Sequence, residues 1–269
     1  MSRSGTSLTT RILNVLGVDL GAEEDLLEPI AAENPSGFWE HERIMKLNEE
    51  ILATFGDAPP LGAWRWLPSL PPGWERDSRL EPHRHTASSL LKESFAERPL
   101  WGWKDPRNCL TLPFWQRLVP EMRYVICVRH PLDVADSLKV RNGISREEAL
   151  QLWLRYMSHA VLHTSDRRRV FVSYEDYFPS WEYQTMRLTQ FLGLPVPSDA
   201  QRAAIADHFD DRLWHYRAAR RGMKKESLPS EAGNLYTLLS ALCDTDPEPG
   251  AERDLDDAAR RAAECATSA

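Results

Sequence analysis

The chain has 269 residues, 42% of them hydrophobic and 27% charged, which is enough for one large α/β domain with a sizeable core. A net charge of −7 argues against a nucleic-acid partner, which demands a basic surplus. Eight acidic and three basic residues between 244 and 269 carry −5 of that charge, so residues 1–243 stand at −2 and can still hold a local anion site.

In chain order, Leu8, Ile12, Leu13, Val15 and Leu16 recur at helical spacing, predicting a helix that begins near Gly5 or Thr6 and stops at Gly17. Residues 21–43 read as irregular, with Pro29, Pro35 and Gly37. Ile44, Leu47, Ile51 and Leu52 predict a helix over Arg43–Phe55. A loop rich in Pro, Gly and Trp follows from Gly56 to Trp74, then a helix over Arg79–Glu97. Leu100–Trp103 is short, apolar and aromatic, predicts a strand, and ends at Lys104-Asp105-Pro106-Arg107. Tyr124–Val128 is apolar without alternation, as in a strand buried on both faces of a parallel sheet. Pro131 suits the first turn of a helix. Glu147–Thr164 predicts a long amphipathic helix, Val170–Val172 a strand, and Trp181–Leu192 a helix ended by Gly193 and Pro195. Strands alternating with helices predict βαβ units and an α/β fold. The sequence beyond Cys243 is acidic, Ala-rich and poor in large apolar groups, which predicts a disordered or loosely helical tail. The expected organisation is one domain over 1–243 and that tail over 244–269.

Four cysteines without CxxC spacing point to reduced thiols and not to zinc or a redox motif. No eighteen-residue apolar run and no leader pattern are present, so the expectation is a cytoplasmic protein without an integral membrane segment.

Two segments carry chemistry. Arg3-Ser4-Gly5-Thr6-Ser7 leads straight into a helix. Glycine lets backbone approach a ligand closely, the first helical N–H groups are unpaired, and the helix dipole favours an anion. The other reading of this loop is a Ser/Thr-rich cap on a frayed terminus. It lacks the GxxxxGK[ST] spacing of a Walker A loop, and no strand ends in an acid that would hold magnesium. Arg129 instead ends the Tyr124–Val128 strand, at the carboxyl edge where α/β sheets bind ligands, and Ser137 lies two turns into the next helix. Together they could grip a second phosphate; alternatively they are an Arg cap and a surface Ser.

Taken together these segments resemble the sulfotransferase family that uses 3′-phosphoadenosine 5′-phosphosulfate (PAPS). The resemblance spans residues 2 to about 197. It implies a three-layer αβα P-loop-type fold with a mostly parallel central sheet. It also implies that Arg3, Ser4, Gly5, Thr6 and Ser7 hold the 5′-phosphosulfate and that Arg129 and Ser137 hold the 3′-phosphate. Val172-Ser173-Tyr174-Glu175-Asp176 is similar to the family's Tyr-Glu-Asp segment, which places Tyr174 near the nucleotide. Phe191-Leu192-Gly193-Leu194-Pro195 is similar to a family helix end. Residues 33–40 and 103–107 most resemble bacterial members, many of them carbohydrate sulfotransferases.

Relatives place a buried strand before the phosphate loop; this sequence opens at Met1-Ser2, so that strand is expected to be missing. Leu8 stands where many cytosolic relatives carry Trp, and Arg220-Arg221-Gly222 approximates the family's late Arg-Lys-Gly.

Sulfuryl transfer needs in-line placement and positive charge, which Arg and Lys supply without a metal. A base must take the acceptor's hydroxyl proton. Glu33 ranks first, because glycan-modifying members place a Glu before a pair of aromatics, here Phe38-Trp39; Glu40, His41 and Asp105 follow. Each of these can instead be a cap or a solvated side chain. Lys104 is a partner for the leaving phosphate or the sulfuryl oxygen, or else a surface ion pair. Seven of the ten tryptophans lie between Trp39 and Trp115, as a lid or as core beneath a long loop. The expected activity is sulfuryl transfer from PAPS to a hydroxyl acceptor, a small molecule or a glycan. The alternatives are a P-loop nucleotide-dependent kinase and a catalytically impaired relative.

Overall fold

A computed structural model describes residues 1–30, 37–56, 68–209, 228–244 and 251–267. Its elements are α1 (Thr6–Val15), α2 (Glu42–Ala53), α3 (Glu81–Phe95), α4 (Asn108–Leu118), β1 (Tyr124–Val128), α5 (Pro131–Asn142), α6 (Arg146–Leu162), β2 (Arg169–Ser173), α7 (Tyr177–Leu192), α8 (Asp199–Ala206), α9 (Ser230–Asp244) and α10 (Ala251–Thr267). The chain divides into a strand-bearing unit, Met1–Leu16 with Arg123–Ala269, and an aromatic unit, Gly17–Met122.

In the strand-bearing unit β1 and β2 pair in parallel, from Tyr124 opposite Arg169 to Val128 opposite Ser173. A parallel pair needs a crossover, which α5 and α6 supply. The fold is α/β, as the alternation of strand and helix patterns predicts. Neither strand alternates polar with apolar residues, because both faces are covered: Cys127 and Val172 join Ile12, Leu16, Tyr177, Leu188 and Ile205 in one buried cluster, and Ile126, Val128 and Phe171 are buried on the other face. Each buried Val, Leu, Ile or Phe among them contributes about 1.5–3 kcal/mol.

Local chemistry sets the helix ends. Pro131 occupies the first turn of α5, where its missing N–H costs nothing. His130 caps that helix by accepting the Leu132 amide on Nδ1 at 3.3 Å. Gly193 ends α7 in the left-handed region, φ 70°. That helix starts at Tyr177 and not at Trp181, because an opening turn joins it across a kink at Ser180, φ −154°.

The acidic stretch expected as a disordered or loosely helical tail is α10 over residues 251–267. Leu255, Ala258, Ala259 and Ala262 form a buried stripe at i, i+3, i+4 and i+7. A stripe made mainly of alanine is nearly silent in composition, yet it lets a helix pack closely. Arg169 of β2 pairs with Glu252 and Asp256 of α10, so part of the tail's acidity is matched inside this unit.

In the aromatic unit α2, α3 and α4 enclose a core that includes Ile44, Leu47, Ile51, Leu90, Phe95, Phe114 and Trp115. Leu100–Trp103 is not a strand there. It makes one parallel bridge, Asp19 to Trp101, while Trp101 stacks on Phe95 with ring centroids 4.6 Å apart. Its aromatic run is explained by this stacking. Trp74, Trp101, Trp103 and Trp115 belong to this core or pack on it, and Trp64 and Trp66 lie outside the described residues. The helix α4 has no counterpart among the predicted elements, since Pro113 inside it reads as a breaker.

Among the described residues no helix is long and apolar enough to cross a membrane, and no disulfide joins the four cysteines. Replacing Leu255 by Ala is expected to lower the unfolding free energy by about 2–4 kcal/mol in urea titration, the range for a fully buried leucine. An unchanged midpoint would show that α10 does not pack.

Candidate functional site

Because β1 and β2 run parallel and end level, the residues after them become neighbours. The Tyr174 amide donates to the Val128 carbonyl at 2.8 Å. The Arg129 guanidinium lies over the Tyr174 ring, 4.4 Å from its centroid. Such a cation–π contact contributes about 0.5–2 kcal/mol. Behind it the Arg129 carbonyl accepts from Trp153 Nε1 at 3.2 Å. The following amide, of His130, donates to Glu175 Oε1 at 3.0 Å.

The N-terminal loop closes on this pair. Arg129 Nη1 donates to the Arg3 carbonyl at 2.8 Å, and Arg3 Nε donates to Ser137 Oγ on α5 at 2.8 Å. Gly5 sits at φ +83° against Tyr174, where an added Cβ would stand 2.3 Å from the ring's Cδ2. Arg3 is itself left-handed, φ 64°. Thr6 and Ser7 open α1, which no side chain caps. Thr9, one turn on, donates to the Gly5 carbonyl at 3.2 Å and accepts from Tyr177 Oη at 3.1 Å, which pins the loop to α7. The loop, Arg129, Ser137 and Tyr174 are therefore all placed in one unit, with Arg3, Gly5, Arg129, Ser137 and Tyr174 in one cluster.

Two polar atoms of this cluster, Ser4 Oγ and Arg129 Nε, are buried without a hydrogen-bond partner. Leaving such an atom unsatisfied costs about 1–3 kcal/mol. Unsatisfied buried donors, an uncapped helix start and two guanidinium groups suit a multiply charged anion. Burial raises the Glu175 carboxyl above its ordinary range against the His130 amide, and burial raises the Tyr174 phenol against Arg129. Both shifts disfavour negative charge beside the cluster.

The aromatic unit carries a second polar group. Lys104 Nζ donates to Glu40 Oε1 at 2.6 Å, with about a tenth of each side chain exposed (12% and 11%). Burial pushes the Glu40 carboxyl up and Lys104 opposes it. Asp105 has both oxygens engaged: Oδ1 accepts from the Arg107 amide at 2.8 Å and from Nη1 at 3.0 Å, and Oδ2 accepts from Asn48 Nδ2 at 3.0 Å. Arg107 also pairs with Glu49. His41 stands apart, its Nε2 3.3 Å from Ser94 Oγ and 3.7 Å from Asp25, with Nδ1 buried and unpartnered. Burial lowers its pKa. Glu33 lies outside the described residues.

Sequence reasoning missed Asn48, the hub of this second group. Its Oδ1 accepts from Thr111 Oγ1 and Trp115 Nε1, both at 2.8 Å, while Nδ2 serves Asp105 and Asn108. A polar residue on the apolar face of α2, between Ile44 and Ile51, was the available signal.

A profile described as the sulfotransferase family matches residues 1–198. This chain belongs to the sulfotransferase family. Searches among curated proteins and among solved structures return no match. The matched span covers both polar groups, and the chemistry it carries is sulfuryl transfer. In this sulfotransferase α8, α9 and α10 lie beyond the match. Among the described residues no group of three or more His, Cys, Asp or Glu could hold a metal ion.

Two outcomes follow for the phosphate-loop cluster. Gly5→Ala is expected to destabilise the fold by about 1–3 kcal/mol, since it combines a left-handed backbone with a clash at Tyr174; chemical denaturation reads this directly. His130 caps α5 only while Nδ1 is unprotonated, and burial holds its pKa below the ordinary histidine value. Its contribution is complete above the unfolded value of about 6.5 and is lost as pH falls through the lower native value. The urea midpoint is expected to fall on acidification below about pH 6.5, and His130→Asn, which keeps a capping side chain, to reduce that slope.

Proposed function

We propose that this sulfotransferase takes its sulfuryl group from 3′-phosphoadenosine 5′-phosphosulfate and delivers it to a hydroxyl acceptor, with a carbohydrate the first class to test. The observation that carries the donor reading is the cluster of Arg3, Gly5, Arg129, Ser137 and Tyr174 with the two unsatisfied buried atoms Ser4 Oγ and Arg129 Nε. A ligand with two separated anionic groups answers each requirement of that cluster. The loop residues Arg3 to Ser7 would hold the phosphosulfate end, Arg129 and Ser137 the 3′-phosphate, and Tyr174 the nucleoside between them. When bound, the nucleotide supplies the activated sulfuryl group.

The chain's own task is then to hold charge and move one proton. Arg3 and the first amides of α1 offset charge on the transferring oxygens. In the aromatic unit Glu40 is our choice of base among the described candidates. Its raised pKa brings it nearer neutrality, as general-base work favours. Asp105 has no oxygen to spare, and His41 is directed toward Ser94 and Asp25. Lys104 is proposed to steady the Glu40 carboxylate, and on the resemblance alone it remains a proposed partner for the leaving phosphate or the sulfuryl oxygen. Glu33 remains a proposed base on its resemblance alone.

Thermal unfolding with added nucleotides tests the donor. Adenosine 3′,5′-bisphosphate is expected to raise the melting temperature, by an amount equivalent to about 2.7 kcal/mol at a hundredfold excess over Kd. Stabilisation by ATP and magnesium alone would sink the proposal in favour of a kinase. For the base, Glu40→Gln is expected to lower kcat by about 10²–10⁴-fold while leaving bisphosphate affinity intact. Parallel Glu33→Gln and His41→Asn variants with undiminished kcat would confirm the choice, and loss in either of them alone would transfer the role.

A further inference from the structure

Helix α9 lies wholly beyond the residues matched by the family profile, yet it reaches the Arg129 segment. The Tyr236 ring meets the His130 ring edge to face, centroids 4.8 Å apart, and meets Trp153 in the same manner at 6.4 Å. Those two residues fix Arg129 from behind. Trp153, fully buried, holds the Arg129 carbonyl through Nε1. His130 is the next residue, tied to Glu175 by its amide and to α5 by its Nδ1 cap. Tyr236 thus touches both supports of one arginine. Its helix is anchored for that purpose: Ala232, Leu235 and Leu239 are buried, and Arg187 of α7 donates to the Cys243 carbonyl at the helix end.

We infer that Tyr236 is a positioning residue for the second phosphate subsite, setting the Arg129 guanidinium through His130 and Trp153. The inference rests on the donor reading above and adds to it a support that lies outside the family-matched sequence. Aromatic edge contacts are directional, so they fix orientation as well as bury area. A guanidinium aligned before binding loses less freedom when it grips a phosphate. Arg129 Nε is buried and unpartnered, and its direction is what such support would set. Loss of the ring would therefore weaken contact with a 3′-phosphate selectively, and contact with a 5′-phosphate on the Arg3 loop much less.

Calorimetric titration of the full chain with adenosine 3′,5′-bisphosphate and with adenosine 5′-monophosphate tests this. The readout is the ratio of the two affinities, which uniform destabilisation does not move. Tyr236→Leu is expected to reduce the preference for the bisphosphate about tenfold, within the range of coupling between contacting residues, and Tyr236→Phe, which keeps both ring contacts, to hold it within about twofold. An unchanged ratio in Tyr236→Leu, beside a wild type that prefers the bisphosphate, overturns the positioning role alone. Equal loss in the Leu and Phe variants also overturns it, assigning the effect to the hydroxyl. A wild type that binds neither nucleotide overturns the donor reading and this inference with it.

Discussion

The candidate donor site depends on the register of one pair of parallel strands. Val128 and Ser173 stand opposite each other, so the chain leaves both strands at the same level and sets Arg129 beside Tyr174. A slip of one residue would turn every side chain of a strand to the opposite face and separate that pair. Gly5 then has a flat aromatic surface to lie on, Arg3 has a guanidinium to fix its carbonyl, and α5 is started where Ser137 can meet Arg3. Register, which five residues a side settle by burial, is thereby converted into the spacing of charged groups.

The two polar groups of this sulfotransferase handle charge in opposite ways. In the aromatic unit Asp105 and Asn48 have both of their polar atoms engaged, with Arg107 placed between Asp105 and Glu49. A matched buried network serves as architecture, because removing one member leaves the others stranded. Around Arg129 the accounting is left open at Ser4 Oγ and Arg129 Nε. Natural interiors seldom leave such atoms unsatisfied, and here the two stand beside a pair of guanidinium groups and an uncapped helix start, which is the combination our proposed donor site rests on.

Much of this was legible in the sequence where the signal is local. Tyr124–Val128 reads as a two-sided buried strand and is one; Pro131 and Gly193 mark helix ends because of their own backbone limits. Segments whose structure is decided by distant partners were not legible. Leu100–Trp103 looks like a strand, but its aromatic rings serve Phe95 and Trp115. The helix α4 hides behind Pro113, and α10 behind an alanine stripe that composition scores as featureless. In the site the residue types of the loop and the Arg129–Ser137 spacing were readable from the chain. That Arg3 reaches across to Ser137, 134 positions away, and that Asn48 organises four partners, are properties of packing alone.

Arg3 holds a left-handed backbone angle that glycine or asparagine would adopt with less strain. The position consequently faces two incompatible demands. Substitution toward the residues its backbone favours would relax the loop and remove the guanidinium. Lysine would keep the charge but not the planar fork that places Nε on Ser137 Oγ. Arginine at this point is a side chain retained against the preference of its own main chain, and a β-branched replacement would satisfy neither demand. The loop is therefore constrained at two residues for different reasons, Gly5 by its backbone and the Tyr174 ring, Arg3 by the guanidinium that meets Ser137.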